Sequence, residues 1–311
     1  MKAVRNAPPS VEVVDVDEPE GAGELVRVVV TGICASDLKY LQYGSTQIAG
    51  HEFAGLLEDG TAAAVEGFFG CGACEQCEQG TYNMCTTGPP TAPGMLSPGG
   101  MSEYFRAPRH AIVPLPSGLD VADASLVEPA SVAWHSCHQG EIGPQTRVAI
   151  VGAGAIGILA AASAQQMGAA EVAVQARYPH QHEARERIGA VEPTGDYDVV
   201  IETGGSESAL HRAVELATVG GTVVHLGAYP PGTAWPMDAA FGREVTLRPS
   251  LGYCSHRGRR KDFVEAADLL AGRPELTETL VTHRFPIEDA VEAFRVAQHK
   301  SEGVFRVVVE P

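Results

Sequence analysis

The chain has 311 residues, 44% hydrophobic and 20% charged, which is too long for one small core and points to about two domains. Its 22 Lys and Arg stand against 39 Asp and Glu, a net charge of −17. Nucleic acid and anionic membrane surfaces would repel such a chain, so neither is expected as a partner.

The start, Met1-Lys2-Ala3-Val4-Arg5-Asn6, has no apolar core followed by a cleavage site, and no stretch reaches the ~18 apolar residues of a membrane helix. The expectation is a cytoplasmic protein with no membrane contact. Its seven cysteines are then reduced, metal-bound or reactive.

Val11 to Val16 alternates apolar with acidic residues, and Leu25 to Val30 is a β-branched run. Both predict strands of an antiparallel sheet. Residues 60–100 are rich in Gly, Pro, Thr and Cys without periodicity and read as one long loop, which needs a staple or a function. The texture changes near residue 145. Arg147–Val151, Glu171–Gln175, Tyr197–Glu202 and Val223–Leu226 read as strands, with helices at Ile158–Met167 and Ser208–Ala217 between them. Strand alternating with helix predicts a doubly wound parallel sheet. A helix at Lys261–Ala271 and a strand at Gly303–Val309 close the chain.

Cys71, Cys74, Cys77 and Cys85 are spaced C-x2-C-x2-C-x7-C. Four thiolates at this spacing can close a tetrahedral shell around one zinc, leaving no position for water, so the site is structural. Gly70, Gly72 and Gly80 let the backbone bend around the ion. Packing alone is a poor account of four cysteines in this short stretch. With no His or carboxylate between them, catalytic use is not expected. Cys137 and Cys254 read as ordinary buried thiols.

A second constellation lies upstream. Cys34 follows a strand, and His51-Glu52 opens the next. One thiolate, one imidazole and one carboxylate make a zinc set with an open position. Taken singly, a Cys or a His is more often a core or surface residue.

Cys34-x-Ser36-Asp37, Gly50-His51-Glu52, the four-cysteine lobe and a downstream G-x-G-x-x-G occur in this order along nearly the whole chain. Together they resemble the zinc-containing medium-chain dehydrogenase/reductase family. The resemblance implies a Rossmann domain, residues 131–253, inserted in a mostly β, GroES-like catalytic domain, residues 1–130 and 254–311, with the active site in the cleft. It implies Cys34 and His51 as ligands of a catalytic zinc, Asp37 orienting the histidine and Ser36 taking the alcohol proton. Many members carry a cysteine at the position of Glu128, whereas polyol and sugar members carry a glutamate there, as this chain does. The third ligand is then Glu52 or Glu128. Members that relay the proton onward often carry His three residues after Ser36, where this chain has Lys39. The stretch from Glu52 to Cys71 is shorter than the family usually shows.

Gly152-Ala153-Gly154-Ala155-Ile156-Gly157, between a strand and a helix, reads as a dinucleotide turn. Its glycines allow the tight turn, the approach of backbone to the pyrophosphate and close helix packing, and the helix N-terminus favours the anion. About 20 residues on, NAD enzymes place an acid for the ribose 2′-OH. Here the chain reads Val174-Gln175-Ala176-Arg177-Tyr178. Ala176 followed by Arg177 favours NADP over NAD, because a guanidinium binds a 2′-phosphate bidentately. His180, His182 and Arg185 could assist, although a solvated helix face suits them as well. By the resemblance, Gly204, Leu226, Gly227, Leu251 and Gly252 line the ribose and nicotinamide.

The expected function is hydride transfer between a secondary alcohol, polyol or cyclitol, or its ketone, and NADP(H), in a homo-oligomer carrying two zinc ions per chain. Rivals are a zinc-independent quinone or enoyl reductase on the same fold and a non-catalytic zinc protein that senses nucleotide. The first has no need of Cys34 or His51, and the second could lose Ser36 and Asp37.

Overall fold

The computed structural model describes residues 1–87, 92–255 and 258–311, and the chain divides into two compact units, Met1–Ser131 with Tyr253–Pro311, and Val132–Gly252. In chain order, the first unit begins with β1 (Lys2–Ala7), β2 (Ser10–Asp15), β3 (Glu24–Gly32), β4 (Glu52–Leu57), β5 (Ala62–Val65), β6 (Tyr104–Ala107) and β7 (Ile112–Pro114). The second unit carries β8 (Arg147–Val151), β9 (Glu171–Gln175), β10 (Tyr197–Glu202), β11 (Ala217–His225) and β12 (Thr246–Pro249). The first unit then resumes with β13 (Val281–Pro286) and β14 (Arg306–Glu310).

β1 and β2 form an antiparallel pair, and the main sheet of this unit runs β13-β14-β3-β4-β5-β7, with β6 also on β3. Only β13–β14 is parallel among its pairs. The β-branched run predicted as a strand is the middle of β3. Val26, Val28 and Val30 point into the core while Arg27 faces solvent, the period of two that a half-buried strand requires. Each buried valine contributes about 1.5–3 kcal/mol relative to exposure. Phe53 of β4 meets Phe105 of β6 edge-on, ring centroids 4.8 Å apart.

The single long loop expected over residues 60–100 is corrected. Ala62–Val65 pairs with β4 and β7, Glu75–Glu78 is a short helix and Tyr82–Met84 a 3-10 turn. A run of three alanines gives no alternation to read, and cross-strand pairing supplies what propensity does not. Residues 88–91 of that stretch lie outside the described residues.

The second unit has a parallel sheet in the order β12-β11-β10-β8-β9. Beyond β9, Ala173 makes one parallel bridge to Val191. The third strand of the doubly wound order is thus reduced to a single residue pair, and residues 188–196 alone lead from the helix Pro179–Arg187 to β10. The first helix spans Ala155–Gln166, starting at the glycine turn instead of Ile158, and is buried on nearly every side. β11 extends back to Ala217 from the expected Val223, the closing helix is Asp262–Gly272, and β14 starts at Arg306 instead of Gly303.

Candidate active site and metal centres

Three neighbouring strands deliver the first constellation. Gly32, the last residue of β3, is paired with Glu52 of β4 on one side and with Val308 of β14 on the other. Cys34 lies two residues past Gly32, His51 one residue before Glu52, and Arg306 two residues before Val308. The register therefore gathers all four at one end of the sheet. A sulfur of Cys34, a ring nitrogen of His51 and a carboxylate oxygen of Glu52 lie within 4.8 Å of one another. His51 and Glu52 are buried and Cys34 is half-buried. Gly32 is needed here, since a Cβ on it would stand 2.6 Å from Glu52 Oε2. A Cβ on Gly67 would likewise stand 2.4 Å from the His51 carbonyl oxygen.

The helix Ala35–Gln42 starts directly after Cys34. Asp37 Oδ2 accepts the Cys34 backbone N–H at 2.8 Å, and Oδ1 lies 3.3 Å from His51 Nδ1. One carboxylate thus touches both the Cys34 turn and the His51 ring. Burial is the largest single influence and works to lower the imidazole pKa, but the charge and hydrogen bonding of Asp37 and Cys34 together outweigh it and hold His51 well above its usual 6.5. The Ser36 hydroxyl lies 3.3 Å from the other ring nitrogen, Nε2. Tyr40, which the sequence reading passed over, brings its phenol within hydrogen-bonding reach of Ser36 and donates to the Met95 sulfur. Its periodicity is that of any helix residue one turn on, so only the fold reveals it.

Arg306 also went unread. Its Nη1 lies 2.8 Å from each carboxylate oxygen of Glu52, and both side chains are buried. The signal was present as a lone arginine inside the apolar stretch Val304–Val309, because a buried guanidinium needs a carboxylate. Glu128, in the helix Val127–Gln139, is buried, and burial together with the negative charge of Glu52 pushes its carboxyl up to about 8. It falls outside the three-donor group. Among the described residues, Asp37 Oδ1, His51 Nδ1 and Arg306 Nε are buried without a hydrogen-bond partner. This half-satisfied thiol, imidazole and carboxylate set has the chemistry of a zinc site.

The four cysteines of the lobe converge. Their sulfurs stand 3.9 Å apart for Cys71–Cys77, 3.5 Å for Cys74–Cys77 and 3.8 Å for Cys74–Cys85. A tetrahedron with Zn–S bonds of about 2.3 Å has edges of about 3.8 Å. The donors fit zinc without rearrangement. Gly72 and Gly80 take left-handed backbone, and a Cβ on Gly70 would collide with Cys77 Sγ at 2.4 Å. The backbone N–H of Cys77 lowers the Cys74 thiol to about 5, while burial pushes Cys77 up to about 12. Sulfurs this close cannot all ionise unless a cation holds them. The lobe is anchored by Tyr82, whose hydroxyl donates to Glu66 at 2.5 Å, and by Lys261, which donates to Glu66 at 3.1 Å. Cys137 and Cys254 are buried.

In the second unit, Gly152 takes φ +111°, and a Cβ on Gly157 would lie 1.8 Å from the Gly152 carbonyl oxygen. A Cβ on Gly154 would meet no atom of the described residues within 4 Å. The turn therefore leaves open space above its middle glycine at the start of the helix Ala155–Gln166, the arrangement a pyrophosphate needs. Thr203 donates to the Gly152 carbonyl at 2.8 Å. Glu202, fully buried, accepts from Gly205 N–H at 2.8 Å and from the Tyr229 hydroxyl. A Cβ on Gly227 would meet Gly205 Cα at 2.4 Å, so the turns holding Gly204 and Leu226-Gly227 are in contact. Leu251 is more than half exposed and Gly252 takes φ +57°. Arg177 is exposed and Ala176 half-buried. The reading of Arg185 is corrected. Its side chain is mostly buried and ion-paired with Glu192, so it is neither on a solvated face nor available to a phosphate. His180 stacks on Tyr178, ring centroids 5.7 Å apart.

Residues 21–117 match the alcohol dehydrogenase GroES-like domain and residues 155–272 the zinc-binding dehydrogenase domain. D-xylulose reductase A of Aspergillus oryzae is 28% identical, over 87% of this chain and 85% of its own length. L-idonate 5-dehydrogenase from Escherichia coli shares the fold with a TM-score of 0.86 at 26% identity, covering 100% of this chain and 97% of that one. A Sinorhizobium meliloti protein assigned to the zinc-binding dehydrogenases and bound to NADP gives a TM-score of 0.85 at 27% identity, covering 100% and 99%. With a GroES-like domain, a doubly wound sheet and both sets of metal-ligand chemistry in one chain, the protein belongs to the zinc-containing medium-chain dehydrogenase/reductase family of oxidoreductases.

Proposed function

We propose that the protein interconverts a neutral secondary alcohol and its ketone, exchanging hydride with NADP(H). The observation that carries this reading is the gathering of Cys34, His51 and Glu52 within 4.8 Å, with the Ser36 hydroxyl beside the imidazole. Zinc held there would supply Lewis acidity favouring alkoxide over alcohol, and the dinucleotide would supply the hydride acceptor. The chain's own residues do the rest. Ser36 takes the alcohol proton, with the Tyr40 phenol next in line. Asp37 fixes the ring orientation of His51. Arg306 holds the carboxylate of Glu52. Glu52 is the third donor by position, and Glu128 is the neighbouring carboxyl that could replace it. The four cysteines hold a second, closed zinc. Arg177 favours NADP.

Beside Tyr40 lies a cavity of about 530 Å³, lined by Tyr40, Tyr43, Phe68, Met95 and Leu96 among others. Its described lining residues include no Lys, Arg, Asp or Glu. A carboxylate or phosphate entering it would lose hydration without a counter-charge. This favours neutral alcohols, polyols included, over sugar acids and sugar phosphates. The same reading takes the protein as a cytoplasmic homo-oligomer, on the strength of the family and of seven cysteines that form no disulfide.

The test is NADPH absorbance with a panel of neutral ketones and alcohols, sugar acids and polyol phosphates, using wild type and Cys34→Ala. Turnover of neutral compounds that Cys34→Ala abolishes is expected. Equal rates in both proteins would overturn the zinc reading, and a preference for anionic substrates would overturn the substrate class. Equal kcat/KM for NADPH and NADH, unchanged by Arg177→Ala, would overturn the cofactor choice.

A further inference from the structure

The strand end that reads Gln175-Ala176-Arg177 carries a second cation, supplied by a different helix. Arg212 lies in the helix Glu207–Leu216, which Ser206 caps by accepting the Ala209 N–H at 3.2 Å. Its Nε donates to Gln175 Oε1 at 3.3 Å, across from one strand end to another element. Its Nη1 also reaches Glu215 at 3.2 Å, a pair whose side chains are 40% and 64% exposed. A pair this exposed is worth little and yields readily to a stronger anion.

Gln175 has a specific consequence for charge. An amide oxygen orients the guanidinium without neutralising it, whereas a carboxylate at this position would do both. The neighbouring cations are not alike. Arg185 is engaged by Glu192, while Arg177 is exposed and uses only its backbone N–H, to Gln181 Oε1 at 2.9 Å. Around this strand end, where a dinucleotide's adenosine ribose binds, Arg177 is exposed and Arg212 half-exposed, and both have side-chain donors to spare. A ribose 2′-phosphate carries close to two negative charges and three acceptor oxygens, more than one guanidinium can pair.

We propose that Arg212, oriented by Gln175, is the second cation that recognises the 2′-phosphate together with Arg177. This rests on the NADP reading given above. Adenosine 2′,5′-bisphosphate and 5′-AMP isolate the 2′-phosphate from the nicotinamide and from turnover, so calorimetric titration with each tests the site directly. Wild type is expected to bind the bisphosphate tighter than 5′-AMP by about tenfold or more. Arg212→Gln should weaken the bisphosphate about tenfold and leave 5′-AMP unchanged. Gln175→Glu should have the same selective effect, because its carboxylate neutralises Arg212 in place. If Arg177→Ala loses the preference and Arg212→Gln keeps it, the role of Arg212 is overturned and the NADP reading stands. A wild type that prefers neither ligand overturns the NADP reading itself. Equal weakening of both ligands in Arg212→Gln shows a structural arginine and overturns the proposal.

Discussion

Arg306 and Glu52, 254 positions apart, meet in the interior with one guanidinium nitrogen 2.8 Å from both carboxylate oxygens. β14 and β4 flank β3, and this adjacency brings β14 to the cluster of Cys34, His51 and Glu52. Both side chains are buried, and the guanidinium of Arg306 faces the carboxylate of Glu52 with little water-exposed surface to share the charge.

Arg306→Met should therefore leave Glu52 buried without a partner. Breaking a buried ion pair on one side costs about 3–5 kcal/mol. The urea midpoint should fall by a corresponding amount, and the double variant Arg306→Met with Glu52→Gln should recover part of it. A single variant as stable as wild type would contradict the pairing.

Metal content should separate the two centres. The intact protein should hold about two zinc ions per chain. Cys34→Ser should remove one and abolish turnover while leaving the melting temperature of the lobe-containing unit nearly unchanged. Cys74→Ser should remove the other and lower thermal stability, because the ion ties down the lobe. Elemental analysis alongside thermal melts decides this; loss of both ions in either variant would contradict independent sites.

The glycine turn offers a paired test. Gly157→Ala forces a Cβ to within 1.8 Å of a carbonyl oxygen, so stability and dinucleotide affinity should both fall. Gly154→Ala meets no described atom within 4 Å and its backbone is ordinary, φ −74°, so stability should hold. Affinity should still fall, because the new methyl occupies the space of the pyrophosphate. Thermal melts with and without NADPH distinguish the two; undiminished affinity in Gly154→Ala would place the dinucleotide elsewhere.

Glu66 should impose a pH dependence on stability. Burial raises its pKa above the usual 4.5, against the opposing pull of Lys261 and Tyr82. The folded state then binds this proton more tightly than the unfolded chain does. Its contribution is complete below 4.5 and is lost as pH rises through the folded pKa. Relative to Glu66→Gln, the wild-type urea midpoint should decline from that pH toward neutrality. Parallel curves would show that Glu66 titrates normally.

Much of the fold was legible locally. The valine alternation of β3 and the strand–turn–helix around Gly152 are short-range patterns, set by burial period and by where a Cβ is tolerated. The stretch Ala62–Val65 was not legible, since alanines carry no period and its strand exists only by pairing with β4 and β7. Arg185 misled for a related reason: its helix reads as polar, and the contact with Glu192 that buries it comes from beyond the helix.

The metal chemistry divides along the same line. The sequence alone determined the convergence of the cysteine lobe, because four cysteines at short spacing are brought together wherever the rest of the chain goes. It also named Cys34, His51 and Asp37 as candidates. Only the tertiary structure decided which groups surround them. Arg306 reaches Glu52 through strand order, Tyr40 reaches Ser36 through a helix turn, and Arg212 reaches Gln175 from another element. Charges that must be balanced in a low-dielectric interior find partners by proximity in space, and that proximity is set by sheet register, which no local pattern encodes.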